Sequence, residues 1–184
     1  GIRSGDVSMP EEINRMVTDS ITDYFFTTSH IATTNLKKNG VSDDRIFFVG
    51  NTMIDTLLKN RPRFKKPTLW DTLNLKEKGY IVMTLHRPAN VDEEGKLKAL
   101  MDEIVRVSDP LPLVFPVHPR TAKILSHLGI DYPRLHKIEP LGYLEFNYLV
   151  ERAKAVITDS GGITEETTVM GVPCMTLRDN TERP

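Results

Sequence analysis

Only one cysteine, Cys174, occurs in the 184-residue chain. A single thiol excludes an internal disulfide and a cysteine-based zinc site. Cys174 lies in the apolar stretch Val172 to Leu177 and reads as a small core residue. Excess positive charge is also missing. The net charge is −1, which gives no general attraction to nucleic acid. No apolar run is long enough to span a bilayer and no signal-peptide pattern opens the chain, so a cytoplasmic location is expected. No histidine pair has H-E-x-x-H spacing, and no metal is expected. No G-x-G-x-x-G follows a strand, and no redox cofactor is expected. Internal repeats and low-complexity segments are absent. The remainder is 39% hydrophobic and 27% charged, an ordinary globular composition for one domain or two small ones.

The chain opens at Gly1-Ile2-Arg3-Ser4-Gly5-Asp6 and closes at Thr181-Glu182-Arg183-Pro184. Both ends are rich in functional residue types, and a segment of a longer protein is the expectation.

Between the ends, helix and strand patterns alternate. Glu11 to Ile21 reads as a helix with Ile13, Met16, Val17 and Ile21 on one face. Tyr24 to Thr28 reads as a strand, and Ser29 caps a helix from His30 to Lys38 ended near Gly40. Arg45 to Val49 is a strand and Met53 to Lys59 a helix. The basic, proline-flanked stretch Arg61 to Pro67 reads as a linker. Strands follow at Tyr80–Leu85, Leu113–Val117, His136–Ile138, Ala155–Thr158 and Pro173–Leu177. Helices are expected at Glu93–Val107, Thr121–Leu128, Leu144–Ala153 and Thr164–Met170, the last stopped by Gly171. Uniformly apolar strands alternating with helices imply an α/β fold, with a parallel sheet covered on both faces.

The most informative stretch is Asp159-Ser160-Gly161-Gly162-Ile163-Thr164-Glu165-Glu166. A Ser-Gly-Gly turn between strand and helix offers backbone N–H groups at the positive end of the helix, a ready anion site. The glycines let phosphates approach without a Cβ in the way. Glu165 and Glu166, just inside the helix, can reach sugar hydroxyls. The plainer alternative makes Asp159 or Ser160 an N-cap and the glutamates first-turn acids.

Ligands of parallel α/β sheets bind beyond the carboxyl ends of the strands. Three loops are expected there: Leu85 to Asn90, Val117 to Thr121, and the Asp159 loop. Arg87 and Arg120 suit phosphate oxygens. His86, held directly after a strand, suits a leaving phosphate or acid–base work near neutral pH. His30, His127 and His136 read as ordinary hydrogen-bonded residues. A further charged cluster (Arg3, Asp6, Glu11, Glu12, Asn14 and Arg15) enters a helix at Pro10. Glu11 and Glu12 there either complement the helix dipole or supply a carboxylate that moves a proton.

Together, Gly-Ile-Arg-Ser-Gly-Asp, Pro-Glu-Glu-Ile-Asn-Arg, Gly-Asn-Thr-Met-Ile-Asp, Leu-His-Arg, Pro-Val-His-Pro, Asp-Ser-Gly-Gly-Ile-Thr-Glu-Glu and Arg-Asp-Asn-Thr-Glu-Arg-Pro occur in order from Gly1 to Pro184. The set resembles the non-hydrolysing UDP-N-acetylglucosamine 2-epimerases. The resemblance implies two Rossmann-like domains of glycosyltransferase-B type, parallel sheets flanked by helices, with a nucleotide-sugar cleft between them. Residues 1–50 would end the first domain, and residues 51–184 would form most of the second, UDP-binding domain.

The implied reaction interconverts UDP-GlcNAc and UDP-ManNAc through elimination of UDP and re-addition to a glycal. It needs no cofactor, and relatives work as homodimers. By resemblance Glu11 and His86 are catalytic. Ser160, Gly161, Gly162 and Glu166 bind UDP, with Glu166 on the ribose. Arg183 lies near the nucleotide and Phe146 near uracil. Arg87 and His118 line a second, regulatory UDP-GlcNAc site in many bacterial members. Two features depart from the pattern. A catalytic glutamate that usually precedes Gly1, and an aspartate further upstream, are not in this chain. Pro88-Ala89-Asn90 stand where many bacterial members carry another arginine and a glutamate. A hydrolysing relative that releases UDP and ManNAc, and a nucleotide-sugar-binding fragment without catalysis, are the competing readings.

Overall fold

The computed structural model describes residues 1–178, apart from the side chains of Ala89 and Arg120. The chain divides into two compact units, Gly1–Thr56 with Arg178, and Leu57–Leu177.

In the first unit α1 (Pro10–Ile21) begins with proline at its first position, where the missing N–H costs nothing. β1 (Phe25–Thr27), α2 (His30–Lys38) and β2 (Ile46–Phe48) form a parallel β-α-β crossover, with Phe25 registered against Ile46. Ser29 caps α2 as expected, its side chain accepting the Ala32 N–H at 3.2 Å. Ala32 and Leu36 of α2 are buried with Phe25. The apolar face of α1 differs: Ile13, Met16, Val17 and Ile21 are exposed, and Glu12 is the buried side chain.

α3 (Thr52–Asn60) runs from the first unit into the second. The stretch read as a linker is no linker. Arg61–Arg63 forms a 3-10 turn inside the second unit, the Lys65 N–H donates to Leu144 O at 3.2 Å, and Arg61 Nε meets Glu151 at 2.6 Å. Its basic side chains found partners within the same unit, which its composition alone does not reveal.

The second unit is built on five parallel strands in the order β5-β4-β3-β6-β7. These are β3 (Ile81–Thr84), β4 (Leu113–Pro116), β5 (Leu135–Ile138), β6 (Ala155–Thr158) and β7 (Cys174–Thr176). Successive side chains of each strand enter opposite layers. Ile81, Met83, Leu113, Phe115 and Ile157 pack under α6 (Glu94–Ser108) and α7 (Pro119–His127). Tyr80, Val82, Val114 and Val156 pack on the other side against α8 (Tyr143–Arg152), α9 (Gly161–Met170) and the single turn α4 (Leu69–Thr72). Burial on both faces explains the largely apolar character of the central strands β4, β3 and β6, whereas the edge strand β5 carries His136 and an exposed Lys137.

From β3 the chain moves outward to β4 and β5, then returns to lay β6 on the other side of β3. The connections therefore diverge between β3 and β6, the position where open α/β sheets leave a crevice at their carboxyl edge. Two sequence expectations shift here. α9 starts at Gly161 rather than Thr164, so its glycines form the first turn and Glu165 and Glu166 belong to the second. The loop after β3 contains a one-turn helix, α5 (Pro88–Val91), opened by Pro88. α9 ends at Gly171, whose φ of 69° is a left-handed conformation that glycine adopts without a Cβ clash.

Candidate functional site

Register places the site. Thr84 of β3 pairs with Thr158 of β6, and Thr158 pairs with Thr176 of β7. The next residues, Leu85-His86, Asp159-Ser160 and Leu177, therefore leave the sheet side by side.

Asp159 is fully buried and gathers this edge. It does not cap α9. Its carboxylate accepts the backbone N–H of His86 at 3.1 Å, that of Arg87 at 2.9 Å and the Asn90 amide at 3.1 Å. His86 Nδ1 lies 2.7 Å from Oδ1. Burial would push the Asp159 carboxyl up, but the hydrogen bonds from His86, Arg87 and Asn90 outweigh it and hold the group at about 2. The Asp159 hydrogen bond raises the His86 imidazole against the opposing effect of burial. The His86 ring remains 59% exposed. Asn90 also donates to Leu177 O at 3.2 Å, tying the β3 loop to the end of β7.

Ser160 follows at the N-cap of α9. The Ser160 side chain makes no capping bond, and a helix N-terminus carries first-turn N–H groups with no partner inside the helix. The turn itself is fixed from below: the Ser160 N–H donates to Thr158 Oγ1 at 3.0 Å, and Thr158 shares a 2.6 Å hydroxyl bond with Thr84. Gly161 and Gly162 occupy the first turn. One turn on, Glu166 is buried and accepts the Tyr143 hydroxyl at 3.0 Å. Burial raises the Glu166 carboxyl and the Tyr143 bond opposes the shift.

The expected residues thus separate. His86, Arg87, Ser160, Gly161 and Gly162 come together on one edge, and Glu166 lies in the second turn of α9 beside Tyr143. Arg87 Nε donates to Asp159 O at 3.0 Å, so part of this arginine secures the loop. His118 lies at the carboxyl end of the neighbouring strand β4 and is exposed. Phe146, in α8, is half-buried against the core layer of Tyr80 and Val156. Glu11 is exposed in the first turn of α1, in the other unit. Arg183 and the Arg120 side chain lie outside the described residues. Among the described residues no group of three or more His, Cys, Asp or Glu side chains could hold a metal, and no helix is long and apolar enough to cross a membrane.

Sequence reasoning missed Asp159 as the hub, and with it Asn90, Thr158 and Tyr143. Only strand register brings Asn90 and Asp159 together, and no local spacing carries that signal.

The family model described as UDP-N-acetylglucosamine 2-epimerase matches residues 1–184. The UDP-N-acetylglucosamine 2-epimerase of Methanocaldococcus jannaschii is 41% identical over 196 residues, covering 100% of this chain and 53% of that protein. The UDP-2,3-diacetamido-2,3-dideoxy-D-glucuronate 2-epimerase of Pseudomonas aeruginosa is 37% identical, covering 99% of this chain and 51% of the relative. The chain therefore spans about half the length of the curated relatives it matches. Among solved structures, M. jannaschii UDP-GlcNAc 2-epimerase in complex with UDP-GlcNAc and UDP superposes with a TM-score of 0.86 at 42% identity, over 100% of this chain and 53% of that one. The S. aureus MnaA–UDP structure gives 0.87 at 30% identity, over 100% of this chain and 50% of that one. The α/β architecture of glycosyltransferase-B type is common to this chain and these neighbours. By sequence along its whole length and by fold, this chain belongs to the UDP-N-acetylglucosamine 2-epimerase family.

Proposed function

We propose that the full protein interconverts UDP-GlcNAc and UDP-ManNAc without net hydrolysis. The observation that carries this reading is the meeting of His86 with the N-terminus of α9 at the β3–β6 switch point, in a chain of this family. Residues 1–50 end a first Rossmann-like domain on this reading, and residues 51–184 supply the UDP-binding domain.

The reaction removes the C2 proton while the C1–O bond to the diphosphate breaks, giving UDP and a 2-acetamidoglucal. Re-addition forms the C1–O bond again and returns a proton to the other face of C2. Glu11, exposed and in the first turn of a helix, moves the proton at C2. Charge develops on the departing diphosphate, which is where fixed donors lower the barrier most. The N–H groups of Ser160, Gly161 and Gly162 and the positive end of α9 meet that charge. His86 adds a charged donor. Glu166 accepts the ribose hydroxyls, Phe146 lies near uracil, and Arg183 lies near the nucleotide. Arg87 and His118 line a second, regulatory UDP-GlcNAc site. The protein works as a homodimer.

The test is incubation of the full-length protein with UDP-GlcNAc in D2O. Formation of UDP-ManNAc carrying deuterium at C2, with UDP conserved as nucleotide-sugar, supports the reading; stoichiometric release of UDP and free ManNAc contradicts it. The Pseudomonas relative favours a second substrate, a UDP-2,3-diacetamido uronate. Exchange on that sugar and not on UDP-GlcNAc would select it.

A further inference from the structure

We propose that Asp159 is a positioning residue: by gripping His86 Nδ1 at 2.7 Å from a fully buried carboxylate, it sets the imidazole so that Nε2 presents a proton to the diphosphate. This rests on the epimerase reading and assigns the part of the site that makes the histidine work.

Three observations support it. Asp159 is 0% exposed while the His86 side chain is 59% exposed, so one ring edge is fixed in the protein and the rest faces outward. The same carboxylate holds the backbone N–H groups of His86 and Arg87, which fixes the Cα of the histidine as well as its ring. Asn90 clamps the second carboxylate oxygen and the carbonyl of Leu177, so the carboxylate cannot swing away without breaking the β3 loop from β7.

The chemistry follows from the ring. A histidine whose Nδ1–H is taken by a carboxylate has Nε2 left for other work. Neutral, that nitrogen is an acceptor and faces phosphate oxygens unfavourably. Protonated, it donates. A buried, ionised carboxylate on Nδ1 favours the protonated ring, and Arg87 opposes it; these are the charged groups that act on His86 from the β6 end and from its own loop. Asp159 thereby sets both the direction of the donor and the pH range in which it exists. No proton passes to Asp159, which stays ionised throughout.

The experiment uses the full-length protein with 15N-labelled histidine, wild type and Asp159→Asn, with His86 assigned from His86→Ala. In the wild type the neutral ring should be the Nδ1–H tautomer. In Asp159→Asn the His86 titration should move to lower pH, and with it the basic limb of C2 exchange. The kcat for exchange should fall at least about tenfold with a smaller change in KM. Adding His86→Ala to Asp159→Asn should cost little beyond His86→Ala alone, the non-additivity of residues acting as one unit. An Nε2–H tautomer in the wild type overturns the proposal. So does a folded Asp159→Asn protein with an unchanged tautomer and pH profile. The wild-type spectrum decides even where Asp159→Asn does not fold. It also decides separately from the epimerase reading, which fails instead if the wild type exchanges no C2 proton.

Discussion

The hydroxyl of Tyr143, the first residue of α8, donates to Glu166 Oε1 at 3.0 Å across two helices. Burial and the Glu166 charge push the tyrosine hydroxyl up to about 12, so it remains a donor at any physiological pH. Burial raises the Glu166 carboxyl while this hydrogen bond restrains the rise. The bond therefore favours the ionised form of a buried carboxylate and fixes its aim, as the proposed ribose contact requires.

Tyr143→Phe removes that restraint without changing the ring. The Glu166 carboxyl should shift further up, and the acid limb of UDP affinity should move to higher pH. UDP binding near pH 7 should weaken by up to about 1.5–3 kcal/mol, the usual worth of a hydrogen bond to a charged group. Isothermal titration of UDP between pH 5 and 8 reads both effects. An unchanged pH profile would separate Glu166 from nucleotide binding.

Thr158→Val tests the turn beneath the proposed anion site. Thr158 is fully buried, accepts the Ser160 N–H and bonds Thr84. Valine keeps the shape and strands both partners, which should cost about 1–3 kcal/mol. A lowered denaturation midpoint with weaker UDP binding is expected. Lost stability with full UDP affinity would show that the turn does not form the site.

The adjacent glutamates of α1 should behave differently. Glu12 is buried and accepts the Ser4 N–H at 2.9 Å and Arg15 at 3.3 Å. Burial pushes its carboxyl up, but the Ser4, Gly5 and Arg15 bonds bring it below the usual range. Glu12→Ala should destabilise by about 2–3 kcal/mol, since it strands donors that faced a charge. Glu11→Gln, at an exposed position, should change stability by less than about 0.5 kcal/mol. It should nearly abolish C2 exchange while sparing UDP binding. Thermal melts beside exchange rates distinguish the two.

Acid should expose Asp159. Its carboxyl is held at about 2, below the unfolded value near 3.9. A depressed carboxylate stabilises above its unfolded pKa and loses that contribution as pH falls through the folded value. Between about pH 4 and pH 2 the wild type should lose about 2 kcal/mol from this group, and a folded Asp159→Asn variant should not. Calorimetry across that window measures the difference.

Much of this fold is written in local pattern. Leu113 to Val117 and Ala155 to Thr158 read as strands because burial on both faces leaves them almost entirely apolar. Ser29 marked the start of α2 because its hydroxyl competes for a free helix N–H. Low helix propensity of glycine places the expected start of α9 at Thr164, whereas the helix begins at Gly161. The face of α1 misleads in another way: its apolar residues are exposed, and Glu12 is buried because Ser4 and Gly5 offer it donors. In the candidate site, the strand–turn–helix at Ser160 and the place of His86 just beyond β3 follow from local sequence pattern. Asp159 looked like a cap, because its partners at His86, Arg87 and Asn90 lie about seventy residues away and only the β3–β6 register brings them within reach.

Proton NMR of UDP-GlcNAc in D2O with the full-length protein tests the central claim most directly. UDP-ManNAc should appear with deuterium at C2, and the UDP should remain bound in nucleotide-sugar. Unchanged UDP-GlcNAc with its C2 proton intact, from a protein that still binds UDP, would contradict the account.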